Sequence, residues 1–208
     1  MFPSLYAILD PAFASRPLIS LAETLADAGV ELLQLRDKRA PARETYNQAK
    51  QLCAALSPRR VRFIVNDRPD IAVISSAAGV HVGQEDLPVE AARQICGPLR
   101  WVGVSTHNLE QLQQADRTSA DYIALGPIYP TGTKENPDPV VGIELLRAAR
   151  RLTRKPLVAI GGIAIARAAE LFRAGADSLA IVRDLIAAPD PGSRAREYLA
   201  IAERIRTG

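Results

Sequence analysis

Soft metal ligands are nearly missing from this chain. Cys53 and Cys96 are its only cysteines, each sits singly within a helical pattern, and no CxxC pair occurs. They read as small apolar core groups, not as a redox or metal motif. His81 and His107 are the only histidines and have no partners at zinc spacing. His81, inside an apolar strand, reads as a satisfied core residue, and His107 as the start of a helix. Aromatic residues are scarce as well, at 5% of 208 residues. The net charge of +3 comes from arginines dispersed along helices, among them Arg43, Arg93, Arg117, Arg147, Arg150, Arg167 and Arg204. Without interleaved stacking rings this is a solvated basic surface, and no nucleic-acid partner is expected. No run of 18 uncharged apolar residues appears, and the start MFPSLYAILDP has neither a basic n-region nor a small-residue cleavage site. The expectation is therefore a cytoplasmic protein with no membrane partner. Lysine is also rare, restricted to Lys38, Lys50, Lys134 and Lys155.

What is abundant is alternation. Short apolar, β-branched runs recur at 5–10, 31–37, 62–67, 79–83, 101–107, 121–128, 156–162 and 178–184. Between and after them, apolar residues at three- and four-residue spacing predict helices at 17–28, 41–56, 69–77, 88–95, 108–116, 141–152, 164–174 and 191–206. Ala28-Gly29 and Ala174-Gly175 mark helix ends. Eight strand–helix units with no linker, low-complexity segment or larger repeat predict parallel strands joined by right-handed crossovers. The predicted fold is a single (β/α)8 TIM barrel over residues 1–208. An open doubly wound sheet is disfavoured because no GxGxxG follows the first strand.

In such a barrel, chemistry gathers at the C-terminal ends of the strands. Strand 2 ends in QLRDK, where period-two alternation puts Gln34, Arg36 and Lys38 on one face and Leu33 and Leu35 on the other. Strand 3 ends in Asn66-Asp67, the chain after strand 4 reads Gln84-Glu85-Asp86, strand 5 delivers Ser105, and strand 7 ends in Gly161-Gly162. The sixth strand runs into GPIYPTGTKENPDP, a loop of Thr131, Gly132, Thr133 and Lys134 stiffened by Pro127, Pro130, Pro137 and Pro139. It is not a P-loop, because Glu135 follows Lys134 and the glycine spacing differs. Asp67 and Asp86 are hard oxygen donors suited to a Mg2+ ion that bridges to substrate phosphates, with helix capping as the alternative reading of each. Arg36, Lys38 and Lys134 supply positive charge, and the Gly-Gly strand end lets backbone N–H groups approach an anion. The rim reads as a place for two anionic groups.

QLRDK, IVNDRPDIA, GVHVGQEDLP, GVST, ADYIALGPIYPTGTK, VAIGGI and AGADSLAIV occur in order along the chain, and together they resemble the thiamine phosphate synthase family. The resemblance implies that Gln34, Leu35, Arg36, Asp37 and Lys38, with Asn66, Ser105 and Lys134, bind an aminopyrimidine methyl diphosphate. Asp67 and Asp86 are then the Mg2+ ligands. Thr131, Gly132, Thr133, Gly162, Val182 and Arg183 hold a thiazole phosphate, and Lys134, Arg36 and Lys38 carry catalysis. The implied partners are small phosphorylated substrates. At Arg183 many family members have a small residue, so its guanidinium could add a hydrogen bond to the phosphate or block the pocket. Two rivals are a thiazole tautomerase, which has no use for the threonine–lysine loop and the carboxylates together, and a non-catalytic phosphate binder, which has little use for a metal with a diphosphate clamp.

Overall fold

The computed structural model describes residues 1–133 and 138–207. Eight parallel strands close into a barrel in sequence order: β1 (Leu5–Leu9), β2 (Leu32–Leu35), β3 (Arg62–Asn66), β4 (Gly79–Val82), β5 (Trp101–Thr106), β6 (Tyr122–Leu125), β7 (Leu157–Ile160) and β8 (Ser178–Ile181), with β8 pairing back onto β1. The surrounding helices are α1 (Leu18–Asp27), α2 (Ala42–Leu56), α3 (Pro69–Ile74), α4 (Val89–Cys96), α5 (Leu109–Asp116), α6 (Gly142–Leu152), α7 (Ala168–Arg173), α8 (Arg183–Ile186) and α9 (Pro191–Thr207), with a 3-10 turn (Ile165–Arg167) leading into α7. Gly29 and Gly175 follow the ends of α1 and α7 with φ of 97° and 104°, the left-handed conformation that closes a helix.

Period-two alternation sorts the side chains into two layers. Leu5, Ala7 and Leu9 of β1 and Leu33 and Leu35 of β2 point outward and join the large core between barrel and helices. Tyr6, Ile8, Leu32, Ile64, Tyr122, Ala124, Val158 and Ala180 point inward and fill the barrel. A ring as large as Tyr122 fits there because its neighbour in register across β5 is Gly103, where any Cβ would overlap the tyrosine ring. Towards the N-terminal ends of the strands, Phe2 stacks on Trp101 at 5.2 Å and 14° and closes the interior with apolar surface. Arg62 lays its guanidinium over the outer side of this closure, 4.2 Å from the Trp101 ring.

The structure shortens several expected strands. Pairing of β2 with β1 stops at Leu9 and Leu35, so period-two alternation carries only Gln34 inward, and Arg36 and Lys38 leave from the following loop. That loop turns because the Asp37 carboxylate accepts from the amides of Arg39 and Ala40 at 3.1 and 3.0 Å. β6 ends at Leu125 instead of 128, and β8 ends at Ile181, three residues before the expected limit, where the short helix α8 begins at Arg183. α8 was not anticipated, since four residues are too few to show helical periodicity.

Candidate active site

A cavity of 860 Å³ opens at the C-terminal ends of the strands. Its charged wall begins with β1, whose terminal Asp10 is buried and forms an ion pair with Arg36. Lys38 pairs with Asp67 at the end of β3. Asp67 adopts φ of 61°, and its amide donates to the carbonyl of His81 at 2.7 Å. Left-handed backbone is uncommon outside glycine, and here it turns the carboxylate away from α3, whose first turn receives no side-chain cap. Asp86 is no helix cap either, because its Oδ2 accepts from the Gly83 amide at 2.7 Å. The Asp67 and Asp86 carboxyl groups both line the cavity and lie near enough for each to feel the other. Burial first, and the neighbouring Asp86 second, push Asp67 up to about 6 despite Lys38. Lys38, on Asp67, is the one cation paired with these two carboxyl groups among the described residues. Among the described residues no three His, Cys, Asp or Glu side chains gather to form an all-protein cage. The donor set fits a hard divalent ion that takes two carboxylates from the protein and its remaining oxygens from water and phosphate.

The floor of the cavity is a string of buried polar groups. Gln34 Nε2 donates to Tyr6 Oη at 2.5 Å, Tyr6 Oη meets Tyr122 Oη at 2.8 Å, Tyr122 Oη lies 3.1 Å from His81 Nδ1, and His81 Nε2 lies 2.9 Å from Ser105 Oγ. Tyr6 accepts from Gln34, and in the polarity in which Tyr6 gives its own proton to Tyr122, Tyr122 donates to Nδ1. Nε2 then carries the histidine proton and Ser105 accepts it, leaving the serine hydroxyl hydrogen for the cavity. Burial holds His81 down to about 4, so the imidazole is neutral throughout the physiological range.

The opposite wall joins the loop after β6 to the ends of β7 and β8. The loop is drawn onto β7 by hydrogen bonds from Ile128 and Tyr129 amides to the carbonyls of Ile160 and Gly161, at 2.8 and 3.1 Å. Gly162 has φ of 64°, and a Cβ there would meet Tyr129 Cβ and O at 2.8 Å. Only glycine lets these segments touch. Thr131 Oγ1 accepts from the Thr133 amide at 3.3 Å and stands 3.3 Å from the Thr133 hydroxyl. Arg183 lays its guanidinium over the Phe13 ring at 4.4 Å. Its neighbour Asp184 is satisfied by Tyr198 Oη at 2.7 Å and Arg194 at 2.8 Å.

The cavity brings together Gln34, Arg36, Lys38, Asn66, Asp67, Asp86 and Ser105 on one side, and Thr131, Gly132, Thr133, Gly162, Val182 and Arg183 on the other. Leu35 is packed between barrel and helices, and Asp37 faces its own turn, so neither side chain lines the cavity. Lys134, with Glu135, Asn136 and Pro137, lies outside the described residues. Sequence reasoning overlooked Tyr6, Tyr122 and Asp10, which looked like ordinary strand residues. His81 was read as a satisfied core residue and does sit buried, yet it also reaches the cavity through Ser105. His107 does not cap α5, a task done by Asn108, whose side chain accepts from the Gln111 amide at 2.8 Å. The His107 ring instead bonds the Gly126 carbonyl at 2.6 Å.

Fold and cavity together define a class: a parallel (β/α)8 barrel whose strand ends carry carboxylates, cations and a wall of hydroxyl groups and close-packed glycine. The family model described as thiamine monophosphate synthase matches residues 5–185. A thiamine-phosphate synthase of Koribacter versatilis is 50% identical, covering 96% of this chain and 95% of its own length. One from Methanospirillum hungatei is 40% identical over 93% and 95%. The solved structure of a thiamine phosphate pyrophosphorylase from Pyrococcus furiosus superposes with a TM-score of 0.88 at 33% identity, covering 97% of this chain and 96% of the other. The chain belongs to the thiamine monophosphate synthase family.

Proposed function

We propose that this enzyme joins an aminopyrimidine methyl diphosphate to a thiazole phosphate, releasing pyrophosphate and forming thiamine phosphate, with Mg2+ as its metal. The observation that carries this reading is the pair of neighbouring carboxyl groups, Asp67 and Asp86, set beside Arg36 and Lys38 on the cavity wall. When bound there, Mg2+ would supply charge neutralisation for a diphosphate. Arg36, held in place by Asp10, and Lys38 would orient that diphosphate and stabilise the negative charge that grows as its bond to carbon breaks. Interactions that strengthen in this way act on kcat and not on KM alone. Ser105, fixed by neutral His81, would offer its proton to an acceptor on the same substrate. Thr131, Thr133 and the backbone at Gly162 would hold the thiazole phosphate so that its ring nitrogen faces the methylene carbon. The amino-substituted pyrimidine can delocalise the positive charge left on that carbon, and the buried floor of the cavity limits attack by water.

Incubating the purified protein with both substrates and Mg2+ and following thiamine phosphate and pyrophosphate tests the proposal. Equimolar formation of both products is expected. Rearrangement of the thiazole alone would identify an isomerase, and tight binding of either compound without turnover would identify a binding protein.

A further inference from the structure

His107 stands directly after β5 on a fixed platform: its amide donates to Gln111 Oε1 at 2.7 Å, while the Gln111 amide donates to the Asn108 side chain at 2.8 Å. From there its ring reaches both limbs of the loop between β6 and α6. Nδ1 lies 2.6 Å from the carbonyl of Gly126, where the loop begins, and Nε2 lies 3.5 Å from Asp138 Oδ2 on the returning limb. Thr131 and Thr133 are carried between those two contacts, and all four side chains line the cavity. The limbs are held differently. Ile128 and Tyr129 bind the outgoing limb to β7 through their amides, whereas on the returning limb the Val141 amide donates to the Pro127 carbonyl at 2.9 Å and Asp138 meets His107.

A carbonyl oxygen only accepts, so Nδ1 carries a proton. With that proton in place a neutral ring would turn its Nε2 lone pair on the Asp138 carboxylate, while a doubly protonated ring donates to it. Asp138 is the ionisable group that meets this ring among the described residues, and the other partners of His107, Gly126 and Gln111, are neutral. We infer that His107 is a positioning residue: its imidazolium clasps the returning limb to the end of β5 and so sets where Thr131 and Thr133 stand in the cavity. The clasp itself is independent of the proposed reaction, and only its effect on turnover rests on that reaction.

Two substitutions divide the contacts of the ring. His107→Asn keeps an N–H near the place of Nδ1 and falls short of Asp138, whereas Asp138→Asn removes the charge and leaves the ring in place. Amide hydrogen exchange is to be followed without substrates at pH 6 and pH 9, each variant against the parent at the same pH. At pH 6 the Val141 amide is expected to exchange about 3- to 10-fold faster in either variant, and the double variant should be no worse than either single one, since each removes the same partly enclosed pair. The Ile128 and Tyr129 amides should keep the parent rate. At pH 9, above the ordinary imidazole range, parent and variants should agree. In turnover with both substrates, kcat/KM for thiazole phosphate should fall by a similar factor at pH 6 and match the parent at pH 9. Parent-like exchange at Val141 at pH 6, effects that add in the double variant, or a difference that persists at pH 9 overturns the inference. Faster exchange with parent-like kcat/KM would refute the positioning role. Faster exchange in the variants when even the parent makes no product would uphold the clasp while the proposed reaction fails.

Discussion

Replacing Asp86 by Asn should stabilise the metal-free protein and at the same time remove its response to Mg2+. The carboxyl of Asp67 is shifted from 3.8 to about 6, with burial the largest cause and the contact with Asp86 the next. A shift of about 2 units places about 3 kcal/mol on the ionised form. If about a third of that belongs to Asp86, the substitution returns about 1 kcal/mol at neutral pH, or about 2 to 4 °C in Tm for a chain of this size. Asn can still accept from the Gly83 amide, so the local turn survives. The sign depends on pH. Asp67 holds its proton more tightly folded than unfolded, so its penalty builds as pH rises from about 4 to about 6 and is complete above that. The gain in Asp86→Asn should therefore be near zero at pH 4, grow across that window and level off by pH 7. Calorimetric melts at pH 4.5, 6 and 7.5, with and without Mg2+, supply the check. Mg2+ should raise the Tm of the parent at pH 7.5 and have much less effect on the variant. Destabilisation of the metal-free variant at pH 7.5, or equal stabilisation of both proteins by Mg2+, would refute the shared-ion account of these carboxylates.

Other perturbations read different parts of the site. Gly162→Ala sets a methyl against Tyr129 in a left-handed backbone, so about 1 kcal/mol or more of strain and at least a fivefold rise in KM for thiazole phosphate are expected from steady-state kinetics. Asp10→Asn leaves Arg36 half-buried without its counter-ion and should cost about 2 kcal/mol in urea unfolding. The double variant Asp10→Asn/Arg36→Met should recover part of that, a coupling that two independent surface residues would not show. His81 titrates at about 4 when folded against about 6.5 unfolded, so the unfolded chain binds the extra proton and stability falls as pH drops through that interval, by about 3 kcal/mol in all. In His81→Gln this segment of the stability–pH curve should flatten. Nitrogen-15 NMR of the parent at pH 7 should report a neutral ring protonated at Nε2.

The barrel was legible because eight strand–helix units repeat with little interruption, and the periodicity that marks each strand also decides which residues face inward. The place of Asp67, Asp86, Thr131 and Gly162 on the cavity wall was legible for a related reason: each lies within a few residues of the end of an apolar run, in a strand-to-helix loop, and in this architecture those loops form one rim. Asp10 stood in that same position after β1 and was passed over, since its task is to hold Arg36 from a neighbouring strand, a pairing that sequence separation conceals. The string from Gln34 to Ser105 draws on β2, β1, β6, β4 and β5, and only barrel closure brings those strands together. Tyr6 and Tyr122 therefore looked like strand residues of high β-propensity. α8 escaped because its four residues follow an apolar run without a break.

Those residues also explain why the cavity is built with its charges out of balance. A barrel interior could be filled with branched aliphatics, as the N-terminal end here is closed with Phe2 and Trp101. At the other end the chain accepts buried hydroxyl, amide and imidazole groups linked in the string from Gln34 to Ser105, so much of their desolvation is offset. The ionised groups are treated differently. Among the described residues, Asp67 and Asp86 stand together with Lys38 as their one paired cation, while Arg183 across the cavity has no carboxylate within ion-pair distance. Neutralising each locally would stabilise the empty protein, yet under the proposed reaction it would cancel the field that a metal-bound diphosphate and a phosphate ester would require. The two imbalances have opposite sign and sit on opposite walls. In the proposed reaction that arrangement would hold one substrate at each wall, with the reacting carbon and nitrogen between them over the neutral floor formed by His81 and Ser105.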